Sequence, residues 1–405
     1  MKLAVFPAEY ERALPVIRKI EQAGHNAFFV GGSVRDCLLQ QSIHDVDIAT
    51  SAFPEEIKAI FPRTIDVGIK HGTVLVLTNL GQYEITTFRT ESAYQDYRRP
   101  DQVKFVRSLE EDLRRRDFTI NAFALKQDGE VIDLFGGLND LKEKKLKAVG
   151  DPYARFSEDA LRMMRGLRFV SQLGFKLTPE TFTAIKENHA LLAKISIERI
   201  NVEFVKLLLG SNRRAGIEML LATQCYKECP KLSKEKQALK NFSQLPDIQL
   251  KNQVQAWTLL IDQLELAESD VRSFLKSWKC SNEMIHSVQI LISGLKKRKR
   301  GAFGLQQIYH LGKKQAILIE ELLPYYDLPT DYEKITILDQ QLAIHSLKEL
   351  AVNGHDLMQF FNQTAGKWLK EILLYLENAV VNQQVANDKR ELLRHAAKKL
   401  KTNSK

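Results

Sequence analysis

Cysteine, proline and glycine are all scarce in this 405-residue chain, at 4, 11 and 20 residues. Cys37, Cys225, Cys229 and Cys280 include no Cys-x-x-Cys pair and have no histidine at zinc-finger distance. That spacing argues against a disulfide framework and a structural zinc, and it fits a reducing compartment. The low glycine and proline content excludes collagen-like and low-complexity chains. No run of about 18 uncharged apolar residues occurs, so no membrane-crossing helix is expected. The apolar stretch after Met1 is too short for a signal peptide, and the expected location is the cytoplasm, with no membrane partner. What is present is a globular balance, 44% hydrophobic and 27% charged, in a length that predicts two to four domains. Fifty-nine Lys and Arg against 50 Asp and Glu leave a net charge of +9, which favours a polyanionic partner.

Pattern divides the chain near residue 150. Residues 8–22 carry a helical period, and short β-forming runs follow at 27–30, 45–49, 73–78 and 83–88 between Gly and Pro punctuation. From about Pro152 strand signals vanish and apolar residues recur three and four apart, as in Leu161, Met164 and Leu167. The expectation is an α+β fold, a mixed sheet flanked by helices and then an all-helical remainder. Breaks are expected near 210–212, across the lysine-rich stretch 229–252 and at Gly301. There is no internal repeat.

Several short segments carry chemistry. An apolar run, Phe28-Phe29-Val30, meets Gly31-Gly32-Ser33-Val34-Arg35-Asp36, where glycines permit close backbone approach and Arg35 stands in the first turn of an expected helix. Free amides and a cation there suit a phosphate. His44-Asp45-Val46-Asp47-Ile48 follows. In a strand Asp45 and Asp47 share one face, and two carboxylates so placed can bind Mg²⁺ for phosphoryl transfer. Glu84 interrupts another β-forming run and is either a third ligand or a solvent-facing residue. Arg114-Arg115-Arg116-Asp117 supplies planar guanidinium forks for phosphate.

The segment 156–169 reads as one helix, with Ser157 as its N-cap and Asp159, Arg162, Arg165 and Arg168 on a polar stripe. An exposed ladder of ion pairs would give the same spacing. A paired acceptor and donor, however, also matches a base edge that has an exocyclic amine beside an unprotonated ring nitrogen. Cytosine and adenine present that edge; uracil and guanine present a carbonyl beside a ring N–H.

Together these residues resemble the bacterial class II CCA-adding enzymes, tRNA nucleotidyltransferases of the DNA polymerase beta-like superfamily. The motifs occur in family order: Gly31 to Asp36 with Asp45 and Asp47, then Arg115 to Ala122, Asp133 to Leu141, Glu158 to Arg162, and Ile197 to Ile200 with Glu203. The resemblance implies a nucleotidyltransferase head (1–150), a helical neck (151–212), a body (213–300) and a tail (301–405). It implies Mg²⁺ on Asp45 and Asp47, with Glu84 as third carboxylate. Phosphate and sugar contacts would come from Gly32, Arg35 and Arg116, and base reading from Asp159 and Arg162. Arg165 and Arg168 would contact nucleotide or RNA, while the last motif would support the neck helices. The implied reaction is template-independent addition of C-C-A to a tRNA 3′ end from CTP and ATP by a homodimer, with the tail, including 354–369, holding the tRNA elbow. Basic runs at 296–300 and at Lys389, Arg390, Arg394, Lys398, Lys399, Lys401 and Lys405 suit RNA phosphates or a solvated helix face.

Three relatives of this pattern differ in detectable ways. Poly(A) polymerases share the head motifs but not a tail of this type. CC-adding relatives lack a flexible loop after the Glu84 strand, and the polar stretch 91–101 stands in its place here. His355-Asp356 superficially invites a phosphohydrolase reading, but no other His and Asp cluster accompanies it, so a surface turn is expected. A non-catalytic RNA-binding module with the same fold is the remaining alternative, and intact Asp45 and Asp47 speak against it.

Overall fold

The computed structural model describes residues 1–68, 72–91, 94–95, 99–100 and 103–403. Part of the 91–101 stretch, together with Lys405, lies outside the described residues. The chain divides into two compact units, Met1–Gln249 with Ser277–Lys279, and Leu250–Lys276 with Cys280–Lys405.

The first unit opens with helix α1 (Ala8–Gln22), whose buried face of Tyr10, Ala13, Val16, Ile17 and Ile20 follows the helical period. That face packs on β1 (Ala27–Val30), where the Tyr10 and Phe29 rings stack with centroids 4.4 Å apart. Helix α2 (Gly32–Leu38) follows at once. Strands β2 (Asp47–Thr50), β3 (Thr64–Gly68), β4 (Thr73–Thr78), β5 (Gly81–Thr87), β6 (Phe123–Leu125) and β7 (Val131–Asp133) complete a seven-stranded sheet ordered β7-β6-β1-β2-β5-β4-β3. Every neighbouring pair is antiparallel except β2 and β5, whose parallel register sets Asp47 beside Glu84. The sheet is mixed, as expected.

Two local expectations fail here. The strand expected from residue 45 begins at Asp47, because β1 ends at Val30, opposite Asp47, and leaves Asp45 without a pairing partner. Strand structure also does not vanish at Pro152: Lys176–Leu177 pairs in parallel with Lys145–Leu146.

Helix α3 (Leu109–Arg114) is capped by the Ser108 hydroxyl. Further along, the single helix expected over 156–169 is two. Helix α4 (Pro152–Glu158) is capped by Asp151, so Ser157 is an interior residue and not an N-cap. Asp159 then takes an extended conformation (φ −137°, ψ 101°) before α5 (Leu161–Leu173) begins. Helix α6 (Ile197–Leu208) buries Ile200, Phe204, Leu207 and Leu208. The lysine-rich stretch taken as a break holds the helix Lys236–Gln244, which buries Leu239 and Phe242.

The second unit is helical. Its longest helix, Asn282–Arg298, ends in the expected basic run, and Arg298 forms a 2.5 Å ion pair with the buried Glu320. His355 and Asp356 stand in the first turn of the helix Gly354–Phe361, where Asp356 pairs with Lys389. Helix α7 (Lys367–Val381) carries helix α8 (Lys389–Asn403) through the buried Leu392 and Ala396 and through Tyr375 stacked on His395. Among the described residues, no helix is long and apolar enough to cross a membrane.

Candidate active site

Chain direction reverses at Gly31, between β1 and α2, in a conformation (φ 73°, ψ −138°) that L side chains rarely adopt. A Cβ there would stand 3.0 Å from Arg116 Nη1 and 3.9 Å from Asp47 Oδ2, so this turn brings backbone, guanidinium and carboxylate together. Arg35, one turn into α2, is directed by its neighbours. Its Nη1 donates to Asn121 Oδ1 at 2.6 Å, and its Nε and Nη2 donate to Asp36 Oδ1 at 2.9 and 2.7 Å.

Asp47 heads β2 with its carboxylate exposed toward a cavity. Loss of hydration raises its pKa; the Arg116 charge opposes that rise, and the Glu84 and Asp45 carboxylates add to it. A crowded carboxylate short of compensating charge is a place where a cation is favoured. Carboxylate oxygens are the donors that a hard divalent ion takes, so Asp45 and Asp47 fit Mg²⁺, an ion that commonly completes its shell with water and substrate phosphate. Asp45 lines the same cavity from the segment ahead of the strand, not from the strand itself. Glu84 is Asp47's neighbour in the sheet but does not line the cavity. Among the described residues, no group of three metal-capable side chains converges.

The arginines are held from behind by buried acids. Asp112 on α3 is 1% exposed and pairs with Arg115 at 2.8 Å and Arg116 at 3.1 Å. Burial alone would raise its pKa, but the two guanidiniums outweigh burial and hold it low. Asp117 accepts from the Phe118 amide at 2.8 Å, Asn121 Nδ2 at 3.1 Å and Arg165 Nε at 2.6 Å. Burial opposes its ionisation too, yet Arg165 and these donors keep it well below the usual carboxylate range. Arg168 forms a buried ion pair with Glu203 of α6 at 3.2 Å, and burial lowers its pKa to about 10.

Asp159 and Arg162, the residues expected to read the base, are not paired with each other. Asp159 Oδ2 accepts from Arg199 of α6 at 2.7 Å and its Oδ1 from the Leu161 amide at 3.1 Å. Arg162, 7% exposed, donates to Glu158 Oε2 at 2.7 Å and to the carbonyls of Arg115 at 2.8 Å and Arg155 at 3.2 Å. The break between α4 and α5 is the reason: it takes Asp159 off the helical stripe.

All of these elements border one cavity of about 990 Å³. Gly32, Arg35, Asp45, Asp47, Arg116, Asp159, Arg162, Arg165 and Arg168 line it, and of the expected site residues only Glu84 does not. Nine basic side chains and five carboxylates face it, a surplus that suits a triphosphate. Sequence reasoning missed the buried braces Asp112 and Asp117. It also gave Arg199 and Glu203 only a supporting place, although their i,i+4 spacing sets them on one helix face. Arg89 and Lys206, which also line the cavity, carried no sequence signal.

A poly A polymerase head domain model matches residues 27–147, a probable RNA and SrmB-binding site of polymerase A matches 174–235, and a putative tRNA nucleotidyltransferase domain 2 matches 248–396. The CCA-adding enzyme of Enterococcus faecalis is 54% identical over 399 residues, covering 98% of each chain. That of Streptococcus pyogenes serotype M1 is 49% identical over 390 residues, 96% of each. The crystal structure of the Bacillus stearothermophilus CCA-adding enzyme in complex with CTP matches with a TM-score of 0.92 at 39% identity, covering 98% of this chain and 99% of that one. With its mixed sheet, its cation-lined cavity and near full-length identity to such relatives, the chain belongs to the family of CCA-adding enzymes, which are tRNA nucleotidyltransferases.

Proposed function

We propose that the protein adds C, C and A in turn to the 3′ end of tRNA: the terminal hydroxyl attacks the α-phosphorus of CTP or ATP, and pyrophosphate leaves. The observation that carries this reading is the single cavity shared by Asp47, Arg116 and Asp159. The backbone at Gly31 and Gly32, with Arg35 and Arg116, holds the triphosphate and sugar. Asp45 and Asp47 would hold Mg²⁺, which when bound eases deprotonation of an attacking hydroxyl and neutralises phosphate charge. Asp159 accepts from the base amine, Arg162 donates to the ring nitrogen, and Arg165 and Arg168 steady nucleotide or RNA. Glu84, Asp47's neighbour in the sheet, serves as a third carboxylate.

Residues 1–150 then act as the catalytic head and 151–212 as the neck that carries base choice. Residues 213–300 form the body, and 301–405 form the tail that takes the tRNA elbow, with the basic face of α8 among its contacts. The reading includes a cytoplasmic location, in keeping with four free cysteines, and the homodimer that the family resemblance implies.

Asp47→Ala tests the core of it. Incorporation into tRNA lacking its terminal triplet should be abolished while tRNA binding, followed by gel shift, is retained. Full activity in that variant removes the metal assignment. Wild-type product length tests the rest, since addition that stops after three nucleotides supports CCA synthesis and continued adenylation supports poly(A) addition.

A further inference from the structure

Asp159 sits between two helices in extended backbone, so neither helix sets the direction of its side chain. Its orientation comes from two contacts, the Leu161 amide on Oδ1 at 3.1 Å and the Arg199 guanidinium on Oδ2 at 2.7 Å. Arg199 comes from α6, which crosses back to α5 one turn later through Glu203 and Arg168 at 3.2 Å. The two ion pairs run in opposite senses: an acid before α5 meets a base on α6, and a base on α5 meets an acid on α6. That alternation admits one register of the helices and penalises a shifted one.

We propose that Arg199 is a positioning residue for base choice. It fixes the Asp159 carboxylate so that its remaining lone pairs face the cavity, where they accept an amine and reject a carbonyl. A carboxylate offers about four acceptor sites, and two are in use, so a base amine binds without displacing Arg199. The planar guanidinium sets a direction as well as a charge, which an ammonium does not. Arg199 is distinct in this from Arg116, whose contacts with Asp112 and the Asn121 carbonyl lie on the phosphate side of the cavity and do not involve Asp159. The inference rests on the base-reading role proposed for Asp159.

The test measures kcat/KM for CMP against UMP addition in wild type, Arg199→Gln, Arg199→Lys, Asp159→Ala and the double variant Arg199→Gln with Asp159→Ala. Losing one charged hydrogen bond that orients a discriminating group should cut the C-over-U ratio about tenfold or more in Arg199→Gln. Arg199→Lys should give an intermediate ratio, and the double variant should discriminate no worse than Asp159→Ala alone. Equal losses for C and U in Arg199→Gln, or additive losses in the double variant, would overturn the inference while leaving Asp159 as reader. An unchanged ratio in Asp159→Ala would overturn both. Should Arg199→Gln fail to fold, Arg199→Lys decides, because a wild-type ratio there reduces Arg199 to a structural charge.

Discussion

Gly31→Ala separates the cost of a backbone conformation from the cost of disturbing the cavity. With φ at 73° and ψ at −138°, an alanine there is strained by about 1–3 kcal/mol. At roughly 2–4 °C per kcal/mol for a unit of this size, the melting temperature should fall by about 2–12 °C. The new methyl would also lie 3.0 Å from Arg116 Nη1, so the guanidinium must retreat by a few tenths of an ångström. Arg116 has little room to do so, because its Nη2 is tied to Asp112 at 3.1 Å. Losing one charge-assisted contact to phosphate in the transition state costs about 1.5–3 kcal/mol, or about ten- to a hundredfold in rate. Gly136→Ala is the control for a positive-φ alanine without a contact: its φ of 76° and ψ of 21° lie in the left-handed helical region, a milder strain than at Gly31, and no atom lies within 4 Å of the added carbon. Single-turnover CMP addition and thermal melts of both variants decide the matter. Gly136→Ala should melt earlier yet incorporate CMP normally, whereas Gly31→Ala should lose activity even at temperatures where it is fully folded. If the two variants lose activity in the same proportion to their melting temperatures, the close approach of Gly31 to Arg116 has no functional weight.

Other perturbations probe different parts of the chain. Asp117 ionises more readily folded than at its ordinary value of 3.8, so its contribution to stability is complete above that value and erodes as pH falls toward the lower folded value. Asp117→Asn should therefore destabilise the protein by about 3–5 kcal/mol at pH 7 and flatten the loss of stability below about pH 4. Melts across that range check it, and an acid limb as steep as wild type would contradict the assigned role. On α8, Arg390, Arg394 and Lys398 are exposed at i, i+4 and i+8. Replacing them with glutamine should reduce the slope of log affinity for tRNA against log salt by about 0.7–0.9 for each phosphate contact removed. Unchanged affinity and slope would exclude this helix from the RNA contact.

The sequence was most legible where local pattern alone decides structure. Helix α1 and strands β1 and β4 fall at the residues expected, because their periodicity and their punctuation agree. Asp45 was misplaced because Asp-Val-Asp alternates correctly whether or not a partner strand exists, and the partner ends at Val30. The break at Asp159 was hidden for a related reason. Glu158-Asp159-Ala160-Leu161 is competent to be helix, and the contact that accompanies the break comes from Arg199, 40 residues away. Spacing by threes also suggested a solvent-facing stripe, yet Arg162 and Arg168 are only 7% and 8% exposed. They are held by Glu158 of α4, the Arg115 carbonyl just past the end of α3 and Glu203 of α6, and no local window contains the last two.

The acids behind the arginine wall have a consequence for repetitive synthesis. Asp112 immobilises Arg115 and Arg116 when the chain folds, so on the proposed assignment the grip of Arg116 on triphosphate is set before any nucleotide arrives and is indifferent to which base is attached. An enzyme of three successive additions can thus reuse one unaltered clamp and confine the change from pyrimidine to purine to the opposite end of the same chamber.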